Sequence, residues 1–230
     1  MAARQKFRGR IAGVGSTSGV RVVVGWWHET PYGSFADAMV ERADGHRVLL
    51  APSAQVRDLI AGTYVFDESR IEPIEVSFVP GGGNPRSARS FGAPVASPRS
   101  LAPPGCGRGS ALSFTSPSLS LALTIGARMP LGRLLRLVPR PLGESPAFAT
   151  LVNPVARVAL RGVRTRGVAR AGRREFYGAS DVHAVTAMTG RFDGIPLGDL
   201  RPVDPPCRFG FSSTPLAPSV TDVVTTIVDS

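Results

Sequence analysis

With 230 residues, 43 % of them hydrophobic and 19 % charged, the chain has the material for one ordinary globular domain and falls outside the charge-rich disordered class. No stretch approaches the ~20 apolar residues of a membrane-spanning helix. The net charge of +10 points toward polyanions, but Lys6 is the one lysine among 27 basic residues, an arginine bias that GC-rich codon usage produces without selection for phosphate contacts.

In chain order, residues 7–12 and 20–25 are β-rich runs on either side of the glycine-rich GVGSTSG at 13–19, which reads as a turn. The next two runs, 35–42 and 46–51, are joined by Ala43, Asp44 and Gly45. Asp-Gly between hydrophobic runs signals a hairpin because both residues tolerate positive φ. Pro52 and Ser53 then open a short helix with Val56, Leu59 and Ile60 on one face, and Gly62 ends it. Residues 64–66 and 71–79 return to strand, the second alternating Ile74, Val76 and Phe78 with Glu75 and Ser77.

From Pro80 the composition changes. Residues 80–110 are almost entirely Gly, Pro, Ser, Ala and Arg. Such a stretch buries too little apolar surface to offset the entropy of ordering it, so 80–117 is expected to be a disordered loop or insert. Two origins fit so long a loop in a compact domain: an inserted linker, or GC-rich coding sequence read in a second frame. Beyond it, Leu119, Leu121, Leu123 and Ile125 alternate with small or polar residues as in a half-buried strand. Leu131, Leu134, Leu135 and Val138 have helical spacing until Pro139 and Pro141 stop the run. Residues 148–152 and 155–160 read as short strands, the first also as a helical turn. Residues 163–169 and 174–188 are extended, and Asp193-Gly194 marks a second hairpin. The run 203–213 opens on Asp204, Pro205 and Pro206, and 220–228 closes the chain as a β-branched strand. The sum is a single mostly β domain over 1–230, with minor α: an antiparallel barrel or sandwich of roughly ten strands and two short helices.

Most familiar motifs fail in detail. GVGSTSG has Ser18 where a dinucleotide fingerprint needs its third glycine, and it lacks the Gly-Lys pair of a P-loop. His28-Glu29 is followed by Tyr32 where a zinc protease needs a second histidine. Cys106 and Cys207 have no CxxC spacing and no nearby histidine, so no metal and no cofactor are expected. The basic start MAARQKFRGR has no apolar run behind it, so the expectation is a cytoplasmic protein with two reduced thiols.

Two constellations remain. Trp26, Trp27, His28 and Tyr32 form an aromatic cluster that suits either a strand end capping the core or the mouth of a ligand pocket. The stretch 173–183 is the more informative. As an unbroken strand it puts Glu175, Tyr177, Asp181 and His183 on one face, a row suited to acid–base chemistry or polar ligand capture. The plain alternative is a solvated sheet face with cross-strand pairs to Arg164 and Arg166, and a bulge near Gly178 would break the shared face. Arginines also gather between Arg157 and Arg174, and residues 77–143 hold eight of them with no acid, but neither group is interleaved with aromatic stacking residues.

The segments PLGRLLRLVPRPL, GRREFYGASDVH and DPPCRFGFSSTP resemble a family of uncharacterised proteins from GC-rich bacteria, the likeness covering 7–79 and 119–228. A looser similarity, at the level of fold, is to acetoacetate decarboxylase-like β-barrel proteins. It implies a pocket inside a cone of antiparallel strands, whereas the lysine nucleophile of the true decarboxylases has no counterpart beyond Lys6. Three functions follow as expectations. The first is a small-molecule-binding β-barrel for an anionic or amphipathic metabolite, its pocket lined by Trp26, Trp27, Tyr32, Tyr177 and His183, with Arg164 or Arg166 holding an anionic group. The second is an enzyme pairing His183 with Glu175 or Asp181. The third is an arginine-rich binder of nucleic acid or anionic surfaces, with non-specific polyanion affinity. No membrane insertion is expected, and a sheet edge offers a route to a homodimer.

Overall fold

The computed structural model describes residues 4–81, 89–92, 106–143, 145, 147–151, 153, 163–168, 174–210 and 214–228. β1 (Arg4–Ser16), β2 (Arg21–Glu29), β3 (Phe35–Glu41) and β4 (Arg47–Ala51) form an antiparallel meander. Helix α1 (Ala54–Ala61) crosses from β4 to β5 (Glu68–Ile71), which lies parallel to β4. A second antiparallel group contains β6 (Glu75–Val79), β7 (Arg89–Gly92), β8 (Ser110–Thr115) and β9 (Leu119–Arg128), followed by α2 (Pro130–Leu135) and α3 (Arg140–Gly143). After β10 (Arg166–Val168) come the 19-residue β11 (Arg174–Phe192), β12 (Ile195–Pro196), β13 (Leu200–Arg201) and β14 (Ser219–Val228). β14 lies between β1 and β11 and welds the groups into one 14-stranded sheet: eleven strands run in the order β5-β4-β3-β2-β1-β14-β11-β9-β8-β6-β7, with β10 and β12 paired to β11 and β13 to β1. The sheet curls into a half-barrel, so the mostly β expectation holds. Among the described residues no helix is long and apolar enough to cross a membrane.

Local chemistry accounts for the turns. Asp44 Oδ1 accepts the His46 N–H at 2.9 Å and Gly45 has φ 88°, which closes the β3–β4 hairpin. Asp193 and Gly194, at φ 49° and 75°, make the turn from β11 to β12, the primed geometry that matches strand twist. Ser53 caps α1, its hydroxyl accepting the Val56 N–H, while Val56 and Ile60 are buried beneath.

The concave face is the main core. Alternate residues of nearly every strand point into it, among them Val22, Val24, Ala38, Val40, Leu50, Val76, Phe78, Leu112, Phe114, Leu121, Leu123 and Ile125. Trp26 of β2 meets Phe78 of β6 across this interior at 5.9 Å between ring centres. Each large aliphatic side chain removed from water here contributes about 1.5–3 kcal/mol.

Several expectations are corrected. Residues 71–79 are not one strand: Pro73, which has no N–H to give a ladder, separates β5 on the sheet edge from β6 in the far half. Residues 64–66 form no strand: Tyr64 N–H still bonds the Ile60 carbonyl of α1 at 2.9 Å, and Val65 N–H is tied to the Phe209 carbonyl at 2.7 Å. The glycine-rich turn is shorter than read, because β1 continues through Ser16. Within 80–117, Ser110–Thr115 is a central strand with Ser110, Leu112 and Phe114 buried, since Leu112 and Phe114 alternate with smaller residues as a core strand requires. Residues 82–88 and 93–105 of that segment lie outside the described residues. Residues 147–151 are helical, and 155–160 lie outside the described residues. The helical run after Met129 is short, and Leu134 and Leu137 are exposed rather than packed.

Candidate functional site

The convex face of the sheet is also covered. β2 is buried on both faces over Arg21–Trp26: Val203, Cys207 and Phe209 of the segment 203–210 pack on Val23 at its outer side, while α1 lies against β4 and β5 and α2 against β11. Beneath that cover are two adjoining chambers of about 140 Å³ and about 60 Å³. They share the walls Ile11, Val23, Met39, Tyr64 and Tyr177. The larger is lined mainly by apolar groups, including Leu131, Val163, Ala179, Val182, Phe209 and Val223, with exposed Arg164 at its margin. The smaller is walled by Phe7, Trp27, Phe35, Leu59, Ile60 and Ile227 and contains two carboxylates, Asp37 and Glu175.

Each polar group in the smaller chamber is placed by the sheet. Glu175 and Tyr177 are two apart on β11, opposite Ile227 and Thr225 of β14, so both point outward. Tyr64 follows α1 and meets them: the Tyr64 and Tyr177 hydroxyls touch each other, and each lies 3.1 Å from Glu175 Oε2. Three oxygens thus share two hydroxyl protons. Burial, then the neighbouring Glu175 charge, drives both phenols well above their ordinary pKa, so they stay protonated as donors. Asp37, 3 % exposed, comes from the middle of β3, and the Trp27 indole Nε1–H donates to its Oδ1 at 2.9 Å. Gly25 makes room for that bond, since a Cβ there would stand 2.5 Å from Asp37 Oδ1 and 2.6 Å from Trp27 Nε1. Burial pushes the Asp37 carboxyl up to about 7 against the opposing effect of the indole hydrogen bond. Burial, a raised pKa and a place beside a cavity make Asp37 a candidate functional group.

The four residues of β11 expected on one face are divided between two. Ser180 is an extra residue: Ala179 pairs with Val223, whereas Asp181 pairs with Asp222. This bulge reverses the alternation, leaving Glu175 and Tyr177 outward and turning Asp181 and His183 to the concave side. There His183 is buried, with Nε2 3.6 Å from Asp181 Oδ2 and Nδ1 3.4 Å from the Gly126 carbonyl. Arg128 Nε holds Asp181 at 2.8 and 3.0 Å. The same end of the interior contains buried Arg10, paired with Asp222 at 2.7 Å and lying over the Trp26 and Phe78 rings. Glu175 is therefore no partner for His183.

Among the other expected pocket residues, Tyr177, Arg164 and Trp27 line the chambers. Trp26 faces the opposite way, into the core, because it neighbours Trp27 on a strand. Tyr32 stacks on Phe7 at 6.1 Å, behind the chamber wall. The Arg166 side chain lies outside the described residues. Sequence reading missed Asp37 and Tyr64. A signal for Asp37 existed: Phe35 and Met39 share its face of β3, and large apolar residues there mean a covered outer face with an acid in its middle. Many described arginines are committed to carboxylates, Arg21 to Glu41, Arg42 and Arg70 to Asp193, and Arg47 to Asp67 among them. Comparisons with protein-family models, curated proteins and solved structures return no match, so neither resemblance drawn from the sequence is carried forward.

Proposed function

We propose that the chain is a small-molecule-binding protein whose ligand is amphipathic, its apolar part in the larger chamber and its polar end at Asp37, Glu175, Tyr64 and Tyr177. The observation that carries this reading is the junction of an apolar cavity with convergent buried polar groups, the usual make-up of a ligand site. A cavity volume of about 140 Å³ is of the size that admits a benzene-sized molecule. Burial pushes both free thiols, Cys106 and Cys207, up to about 12, which leaves them unreactive. The acid–base alternative shifts from His183, which does not line these chambers, to Asp37, whose pKa of about 7 suits proton transfer at neutral pH. The polyanion reading is weakened by the arginines already holding carboxylates.

Filling the larger chamber tests the binding reading. Ala179→Leu adds bulk to its wall, so isothermal calorimetry with n-hexanol should show binding to the wild-type chain and at least a tenfold loss in the variant. Equal binding by both would overturn the assignment.

A further inference from the structure

The two chambers differ in charge. Arg164 stands at the margin of the larger one, whereas the smaller has Asp37 and Glu175 and, among its described walls, no cation. Glu175 Oε2 is occupied by the two phenols, and Asp37 has one hydrogen-bond donor, the Trp27 indole, among the described residues. A carboxylate has about four lone-pair sites, so Asp37 retains acceptor capacity beside the cavity. Ionising a carboxylate that deeply buried is costly unless a cation reaches it. From these placements we infer that the smaller chamber takes the protonated head of a small aliphatic amine, seated against Asp37, with the hydrocarbon part in the larger chamber. This rests on the proposed small-molecule reading and adds the chemical class of the ligand.

The geometry sets the size and the pH behaviour. Chambers of about 140 and 60 Å³ suit a chain of roughly six carbons. The groups facing Asp37 are Trp27 from β2, Tyr64 after α1, and Glu175 and Tyr177 from β11. Helix α1 presents Leu59 and Ile60, and Thr63 follows it; none of the three is charged. The phenols remain protonated, so Asp37, titrating at about 7, governs amine binding between pH 6 and 8. Its ionised fraction falls about tenfold over that interval, and amine affinity falls with it.

The experiment is calorimetry on the full chain with n-hexylamine, n-hexanol and n-hexanoate, each at pH 8 and pH 6. Hexylamine should bind at least tenfold tighter than the other two at pH 8 and lose about tenfold at pH 6. Asp37→Asn, checked for cooperative unfolding, should abolish both the preference and its pH dependence. Hexanol or hexanoate binding as tightly as hexylamine would overturn the amine assignment and leave the cavity reading standing. So would an affinity for hexylamine that is flat in pH. No binding of any probe would overturn both.

Discussion

Asp37 concentrates the energetics of the site in one side chain. Its carboxyl titrates at about 7 in the fold, against 3.8 ordinarily. Protonation therefore favours the folded state: this contribution is complete below the lower value and is lost as the pH rises through the upper one. Relative to the unfolded chain, Asp37 costs on the order of 4 kcal/mol at pH 8, where the fold carries it ionised, and less than about 2 at pH 5, where the fold keeps it protonated. Asp37→Asn, which keeps an acceptor for the Trp27 indole, should exceed wild type in urea-derived stability at pH 8, with that advantage more than halved at pH 5. A constant difference across pH would mean that Asp37 is not the buried titrating group. Glu41 is the opposite case, an acid buried with partners. It is fully buried, pairs with Arg21 at 2.9 Å, and accepts the Arg208 backbone N–H at 2.7 Å, tying 203–210 to the sheet. Glu41→Ala leaves Arg21 buried without that partner and should cost about 3–5 kcal/mol in the same assay; a loss under 1 kcal/mol would contradict the geometry.

At the level of elements, what could be read from the sequence is what is decided locally. The Asp44-Gly45 and Asp193-Gly194 turns, the Ser53 cap and the alternation of β9 each depend on a few neighbouring residues, and each forms as expected. The parallel β4–β5 pair and the division at Pro73 depend on contacts distant in sequence, which period and propensity do not encode. The candidate site was half legible for the same reason. Glu175 and Tyr177 stood out by their chemistry, but the Ser180 bulge that separates them from Asp181 and His183 is set by pairing with β14. Deleting Ser180 would force one side of that break onto the wrong face, burying charge in the core or turning apolar side chains to the cavity wall. The deletion variant should lose its near-UV circular dichroism and cooperative unfolding; a native-like spectrum would show that the bulge is dispensable.

At the scale of the whole molecule, the sheet is joined by strands far apart in sequence. β1 pairs with β14 along ten residue pairs, Arg4↔Val228 to Gly13↔Ser219, so the sheet is complete only when these two strands meet. Side chains add ties across the curl: Glu72, just past β5, accepts hydrogen bonds from Ser116 and Ser118 at 2.7 and 2.8 Å, and Arg70 reaches Ser118 at 2.9 Å. That curl gives the sheet a packed concave core and leaves the convex side, under α1 and 203–210, to form the chambers. The proposed binding site therefore lies on the outside of the half-barrel rather than within it. The most direct test is a crystal structure of the chain grown with n-hexylamine. Hexylamine should lie between Ile11, Val23 and Met39, with its nitrogen at hydrogen-bond distance from Asp37. Hexylamine seated instead in the concave interior beside Arg10 and His183, or chambers filled by their own side chains, would contradict it.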